Sequence, residues 1–284
     1  RSIMLNKKSN KRQGKRTMEI TKELLNDFVS GNFDEPGFKE FFFSVCSALA
    51  YKEPAQTKKY WTKLKLKVKF FDIEGAQCYV LEDANKIIVA FRGTEPKEWN
   101  DIKDDLSFRK TWHKGSGKVH RGFMIEVWKL MDSLTTKVYK TKKTLYVTGH
   151  SLGGAMATLY ADVCRPSGHV EVFTYGAPRC GDEDFCRTYV RQLTRVRNNN
   201  DMVPTVPLWS LGFRHIGETL YINHYGNVRN LTGWQKWKDR WRGRFAAWRK
   251  LEFFDGIRDH AIDKYVYAMH KHWKEQFALS NEKK

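Results

Sequence analysis

A mainly parallel α/β sheet with helices on both faces is the architecture this sequence predicts, and three observations carry the prediction. Short β-branched and aromatic runs recur along the middle of the chain: "CYVLED" from Cys78, "KIIVAFRG" from Lys86, "LYVTG" from Leu145 and "VEVFTYG" from Val170. Such runs read as strands. Stretches with helical patterning, 121–140 and 152–163, fall between some of them, and strands alternating with helices imply a parallel sheet covered on both sides. No internal repeat or Pro/Ser-rich linker interrupts the pattern, so residues 18–284 read as one domain.

Residues 1–17 precede that domain as a flexible basic arm with Lys7, Lys8, Lys11, Arg12, Lys15 and Arg16 and little to bury. "GFKEFFFSVCSALA", 37–50, spaces its apolar residues for a buried helix. "KLKLKVKF", 63–70, alternates lysine with Leu64, Leu66, Val68 and Phe70, a period of two that fits a half-buried strand. Lysines along a strand also protect a sheet edge, which accounts for this one better than nucleic-acid binding does.

The 284 residues carry 51 Lys and Arg against 32 Asp and Glu, a formal charge of +19. That balance favours anionic partners, nucleic acid or acidic headgroups, or simply a soluble lysine-rich surface. With 41% hydrophobic and 14% aromatic residues the composition excludes a disordered or collagenous chain. The five cysteines, Cys46, Cys78, Cys164, Cys180 and Cys186, show no CxxC pair or metal-ligand spacing and read as mostly reduced thiols. The first twenty residues lack the apolar stretch of a secretory signal. The longest apolar run, around 41–51, is shorter than the roughly 20 residues a membrane span needs. The expected location is therefore cytoplasmic or membrane-peripheral.

"LYVTGHSLGGAMATLYA", 145–161, brackets Ser151 with glycines where a strand run gives way to a helical one. "GHSLG" fits the G-x-S-x-G elbow, in which a sharp turn projects the serine hydroxyl from the sheet. Gly149 and Gly153 remove side chains that would collide in so tight a turn. A serine hydroxyl is a poor nucleophile without a histidine to take its proton and a carboxylate to orient that histidine. On an elbow the partners follow in the order acid, then histidine. Asp201 follows the strand-like "TRVRN" in a loop stiffened by Pro204 and Pro207, and His260 stands at the start of a helix whose Ile262, Tyr265, Val266 and Met269 face inward. The oxyanion of the transition state needs donors. The backbone N–H of Leu152 supplies one, and Thr94, in the loop after "KIIVAF", supplies the other, with Gly93 allowing close approach.

"FRGT" (91–94), "EWNDIKDDLSF" (98–108), "VHRGFM" (119–124), "VTGHSLGGA" (147–155), "FTYGAPRCGDEDF" (173–185), "NNNDMVPTVP" (198–207), "GFRHIGE" (212–218) and "RDHAIDKY" (258–265) occur in that order. Together they resemble the class 3, or fungal-type, lipases, from about residue 38 to 270. The resemblance implies an α/β-hydrolase with Ser151 as nucleophile, Asp201 as acid, His260 as base, and Thr94 with Leu152 as oxyanion hole. It implies hydrolysis of carboxylic esters in lipids, usually triacylglycerols and sometimes phospholipids or galactolipids, with no metal or organic cofactor.

Two segments depart from the family. Where related enzymes carry a hinged lid, 95–106 is strongly polar, with Trp99, Ile102 and Leu106 as its only large apolar groups. A lid over an acyl pocket needs an apolar inner face, so the segment argues against interfacial activation and against a preference for long-chain triacylglycerol. "GWQKWKDRWRGRFAAWRK", 233–250, lies in a basic insertion at about 232–251. Trp234, Trp237, Trp241, Phe245 and Trp248 recur at three- and four-residue steps among lysines and arginines. That face either lies in an anionic membrane interface or docks on the protein's own core.

The expected function is thus a lipase-like serine esterase acting on acylglycerols through an acyl-enzyme. The alternatives are a phospholipase or acyltransferase on the same triad, and a non-catalytic basic binding protein. The expected partners are the lipid ester and an anionic membrane surface, with no specific nucleic acid.

Overall fold

Strand order sets the plan of the molecule. In chain order the strands are β1 (Lys67–Ile73), β2 (Ala76–Glu82), β3 (Lys86–Phe91), β4 (Lys110–Trp112), β5 (Lys118–His120), β6 (Thr144–His150), β7 (Val170–Tyr175), β8 (Gln192–Asn198), β9 (Glu218–Ile222) and β10 (Val228–Arg229). Eight of them form one sheet, ordered β1-β2-β3-β6-β7-β8-β9-β10, and β4 pairs with β5 apart from it. The links from β3 through β6, β7 and β8 to β9 are parallel, and the outer links are antiparallel. The structure is a computed structural model and describes residues 21–93, 109–113, 117–138, 141–164, 166, 168–229, 234–235, 238–239 and 259–282. The basic arm 1–17, Thr94, the polar segment 95–106 and most of the insertion at 232–251 lie outside the described residues.

Period-two alternation divides the central strands between two cores. Ile88, Ala90 and Tyr146 face one side with α1 (Lys22–Ser30), α2 (Phe38–Leu49), α3 (Pro54–Lys63) and the C-terminal helix. Ile87, Val89, Phe91, Leu145 and Val147 face the other with α4 (Arg121–Val138), α5 (Leu152–Val163) and α6 (Glu183–Thr188). Helices therefore cover both faces, as predicted. The C-terminal helix is α7 (Ile262–Asn281). The expected helix 37–50 is α2, and its aromatics explain its burial: Phe43 stacks on Phe173 of β7 at 4.7 Å, and Phe41 lies parallel to Trp273 of α7 at 5.5 Å. Burying one such ring contributes about 2–3 kcal/mol.

The expected strand 63–70 starts later than its alternation suggests. Lys63 closes α3, which begins at a capping box of Glu53 and Gln56 with Pro54 in its first turn. Lys65 takes φ 55, and β1 pairs only from Lys67. Its place at the end of the sheet order agrees with the edge reading of its lysines. Cys46, Cys78, Cys180 and Cys186 are free thiols, and burial raises each above the ordinary thiol range. Among the described residues no helix is long and apolar enough to cross a membrane, and no His/Cys/Asp/Glu group could hold a metal ion.

Candidate active site

Ser151 stands between the last residue of β6 and the first of α5, with φ 60 and ψ −131. A non-glycine residue rarely adopts that backbone, and it persists only where its surroundings fix it. Here its N–H donates to the Tyr175 carbonyl of β7 at 3.0 Å, and its carbonyl accepts from Gly154 at 2.9 Å. A Cβ on Gly149 would overlap the Gly153 carbonyl, so this glycine is needed across the turn. Gly153 answers to a different neighbour: its Cβ would come within 2.5 Å of the Phe91 carbonyl at the end of β3. The same approach brings Gly93 against the elbow, where an added Cβ would lie 3.2 Å from Ser151 Cβ. The chain just before Thr94 thus abuts Ser151. Leu152 is the first residue of α5, and an N–H in a helix's first turn has no acceptor within the helix.

Asp201 and His260 meet as an ion-pair geometry, Nδ1 of His260 at 2.9 Å from Oδ2 of Asp201. Both are buried, and Ser151 has no exposed surface. Asp201 Oδ1 accepts the Val203 N–H at 2.9 Å, and Oδ2 also takes the Tyr265 hydroxyl. Tyr265 in turn accepts the Asn198 N–H at 3.1 Å. The loop after Asp201 forms a short 3-10 turn, Val203–Thr205. Besides its prolines, it is held by His215, whose Nε2–H donates to the Pro204 carbonyl at 2.7 Å, and by Arg179, which donates to the Pro207 carbonyl at 2.8 Å. His260 precedes α7 by two residues instead of opening it. Asn198 secures it by donating its side-chain N–H to the Asp259 carbonyl at 2.8 Å.

His150 joins the two halves. Its Nε2 lies 2.7 Å from the His260 carbonyl, and its ring centroid 4.5 Å from that of His260. A carbonyl only accepts, so Nε2 carries the proton. Nδ1 then accepts from the Tyr51 hydroxyl at 2.8 Å. Burial first, and His260 second, hold this imidazole well below the ordinary histidine range, which keeps it neutral. Gly176, φ 57, marks the same convergence: a Cβ there would lie 2.8 Å from Asp201 Oδ2, 3.0 Å from the Tyr265 hydroxyl and 3.1 Å from His260 Cε1.

Ser151, Leu152, Asp201 and His260 are therefore gathered at one end of β6–β8, and Thr94 lies outside the described residues. Tyr51, His150, Arg179, Asn198, His215 and the hydroxyl of Tyr265 were not singled out by the sequence as site residues. Only Tyr265 carried a signal, as an inward position on its helix.

Residues 88–211 match the family model described as Lipase (class 3). The secreted mono- and diacylglycerol lipase 1 of Fusarium solani is 34% identical over 164 residues, 52% of this chain and 48% of that one. The lipase of Rhizomucor miehei is 34% identical over 157 residues, 49% of this chain and 43% of that one. Phospholipase A1-II 1 of Oryza sativa subsp. indica is 26% identical over 225 residues, 65% of this chain and 56% of that one. The chain spans about half the length of the curated relatives it matches. Among solved structures, the Rhizomucor miehei triacylglyceride lipase superposes with a TM-score of 0.56 at 23% identity, covering 71% of this chain and 81% of that one. A triacylglycerol lipase whose catalytic centre is formed by a serine protease triad gives 0.53 at 25%, covering 65% and 79%.

Proposed function

We propose that the chain, whose residues 88–211 match the class 3 lipase model and which has an α/β-hydrolase fold, is a serine esterase hydrolysing carboxylic ester bonds of lipids. The observation that carries this reading is the buried Asp201–His260 pair at 2.9 Å beside a serine held at positive φ. Ser151 Oγ attacks the ester carbonyl while His260 Nε2 takes its proton; Asp201 holds the other ring nitrogen and stabilises the imidazolium. The Leu152 N–H and Thr94 receive the developing oxyanion. His260 returns the proton to the departing alcohol, and water, deprotonated by His260, releases the acid from the acyl-enzyme. Mono-, di- or triacylglycerol is the first substrate class.

Phospholipid esters are the second reading. The 225-residue match to a phospholipase A1 and the +19 charge, suited to anionic headgroups, favour it. The insertion at 232–251 supplies a peripheral membrane contact: Trp234 is 60% exposed, and the Lys238 ammonium lies 5.2 Å from its ring centre. Turnover of an ester panel varied in headgroup and acyl length, by the wild type and by Ser151→Ala, tests the function. A loss of about 10⁵-fold or more in kcat is expected for Ser151→Ala on every accepted ester; turnover that survives the substitution would overturn the reading.

A further inference from the structure

The insertion at 232–251 enters the described structure at four residues, and they differ in burial. Trp234, Gln235 and Lys238 are exposed, whereas Asp239 keeps only 5% of its surface. The insertion thus turns its first tryptophan outward and drives a carboxylate into the protein.

A buried carboxylate is costly unless donors meet it, and at Asp239 the body of the protein supplies them. The His224 N–H lies 3.0 Å from Oδ2 and 3.3 Å from Oδ1, and the Tyr221 hydroxyl lies 3.1 Å from Oδ2. That hydroxyl is also 2.9 Å from Asn199 Oδ1. One hydroxyl proton cannot serve both acceptors, and the carboxylate is the stronger. With the Asn199 amide turned end for end, its NH2 group, which has no partner in the opposite orientation, donates to the hydroxyl oxygen. Tyr221, buried on β9, is the bridge between the insertion and the turn 198–201.

That turn carries the acid. The Asn199 N–H donates to Asn198 Oδ1 at 3.0 Å; Asn198 N–H donates to the Tyr265 hydroxyl at 3.1 Å, and Tyr265 donates to Asp201. The Asn198 amide also holds the Asp259 carbonyl, next to His260. A displacement at Asn199 is transmitted to both members of the pair, and misplacing a reacting group by about 1 Å can cost on the order of a hundredfold in rate.

We propose that Asp239 is a positioning residue for Asp201, acting through Tyr221 and Asn199, so that the basic insertion is part of the esterase machinery and not only a membrane contact. The proposal rests on the reading that Asp201 serves His260 in ester hydrolysis. Asp239→Asn and Tyr221→Phe, made in the full chain, test it on a soluble short-chain nitrophenyl ester, with rates expressed per active site titrated by a fluorophosphonate. Each is expected to lower kcat about tenfold while KM stays within about twofold. In an Asp201→Asn background the same changes are expected to cost less than about twofold, because the route they act through is already broken. Unchanged kcat per titrated site in both variants, or the same loss in both backgrounds, overturns the proposal and leaves Asp239 a merely structural anchor. If Asp239→Asn does not fold, Tyr221→Phe carries the test, since it removes one oxygen and leaves the ring packed. A wild type that neither turns over esters nor takes up the fluorophosphonate fails the esterase reading itself; a normal wild type with unaltered variants sinks only the role of Asp239.

Discussion

At the elbow, Ser151 is held by backbone contact: two glycines let β3, β6 and α5 approach until only hydrogen fits between them, and the serine takes φ 60 as a result. At the acid and base, 201 and 260, a glycine again makes room, Gly176, but the loops themselves are held differently. Those loops are held by side-chain hydrogen bonds from Tyr265, Asn198, His215 and Arg179, and by the His150 ring against the His260 carbonyl. The nucleophile is placed by what is missing from the chain, and its partners by polar groups drawn from far along it. The first arrangement resists small polar changes and fails on added volume; the second fails on small polar changes.

Breaking the steric half has the larger expected effect. Gly149→Ala puts a methyl into the Gly153 carbonyl, and the loss expected is about 3 kcal/mol or more of folding stability. The urea midpoint measures it, and activity falls with the fold. A midpoint within error of the wild type would mean the turn has slack that the contacts deny.

The polar half should separate activity from stability. Tyr265→Phe removes the hydroxyl that donates to Asp201 and accepts from Asn198. A hydrogen bond to a charged group is worth roughly 1.5–3 kcal/mol, so a drop in kcat of about tenfold or more is expected, with a smaller shift in the urea midpoint than Gly149→Ala gives. Equal kcat for Tyr265→Phe and wild type would show that His260 and the Val203 N–H suffice to keep Asp201 in place.

The contrast explains what was legible in the sequence. An elbow is local: its strand, glycines and helix lie within twenty consecutive residues, 144–163, so periodicity and glycine spacing disclose it. The alternation of strands with helices and the burial of α2 were legible for the same reason. Tyr265 and Asp201 are 64 residues apart, and His150 and His260 110; no local pattern marks such pairs, and Tyr265 reads as one more inward-facing aromatic. The late start of β1 has a local cause of another kind. The alternation of 63–66 fits a strand, but the capping box at Glu53 commits the chain to a helix that runs into it.

The smallest effect concerns pH. His120 is buried at the end of β5, with its Nδ1 accepting the Phe123 N–H at 3.3 Å, and burial lowers its pKa from 6.5 to about 4. Below about pH 6.5 the unfolded chain binds a proton that the folded chain refuses until about pH 4, so folding stability falls as pH drops across that window. The contribution is about 1.4 kcal/mol per pH unit. Urea midpoints at pH 7 and pH 5 should therefore differ less in His120→Gln than in the wild type. His150 and His215, also held low by burial, add slopes of the same sign that the substitution leaves intact.

Ester hydrolysis by this chain depends above all on Ser151 being an activated nucleophile, and covalent labelling reads that most directly. Incubating the full chain with a fluorophosphonate and mapping the modified peptide should place one adduct on Ser151, formed far more slowly when Asp201 or His260 is replaced by alanine. Absence of label on Ser151, or labelling as fast without His260 as with it, would contradict the account.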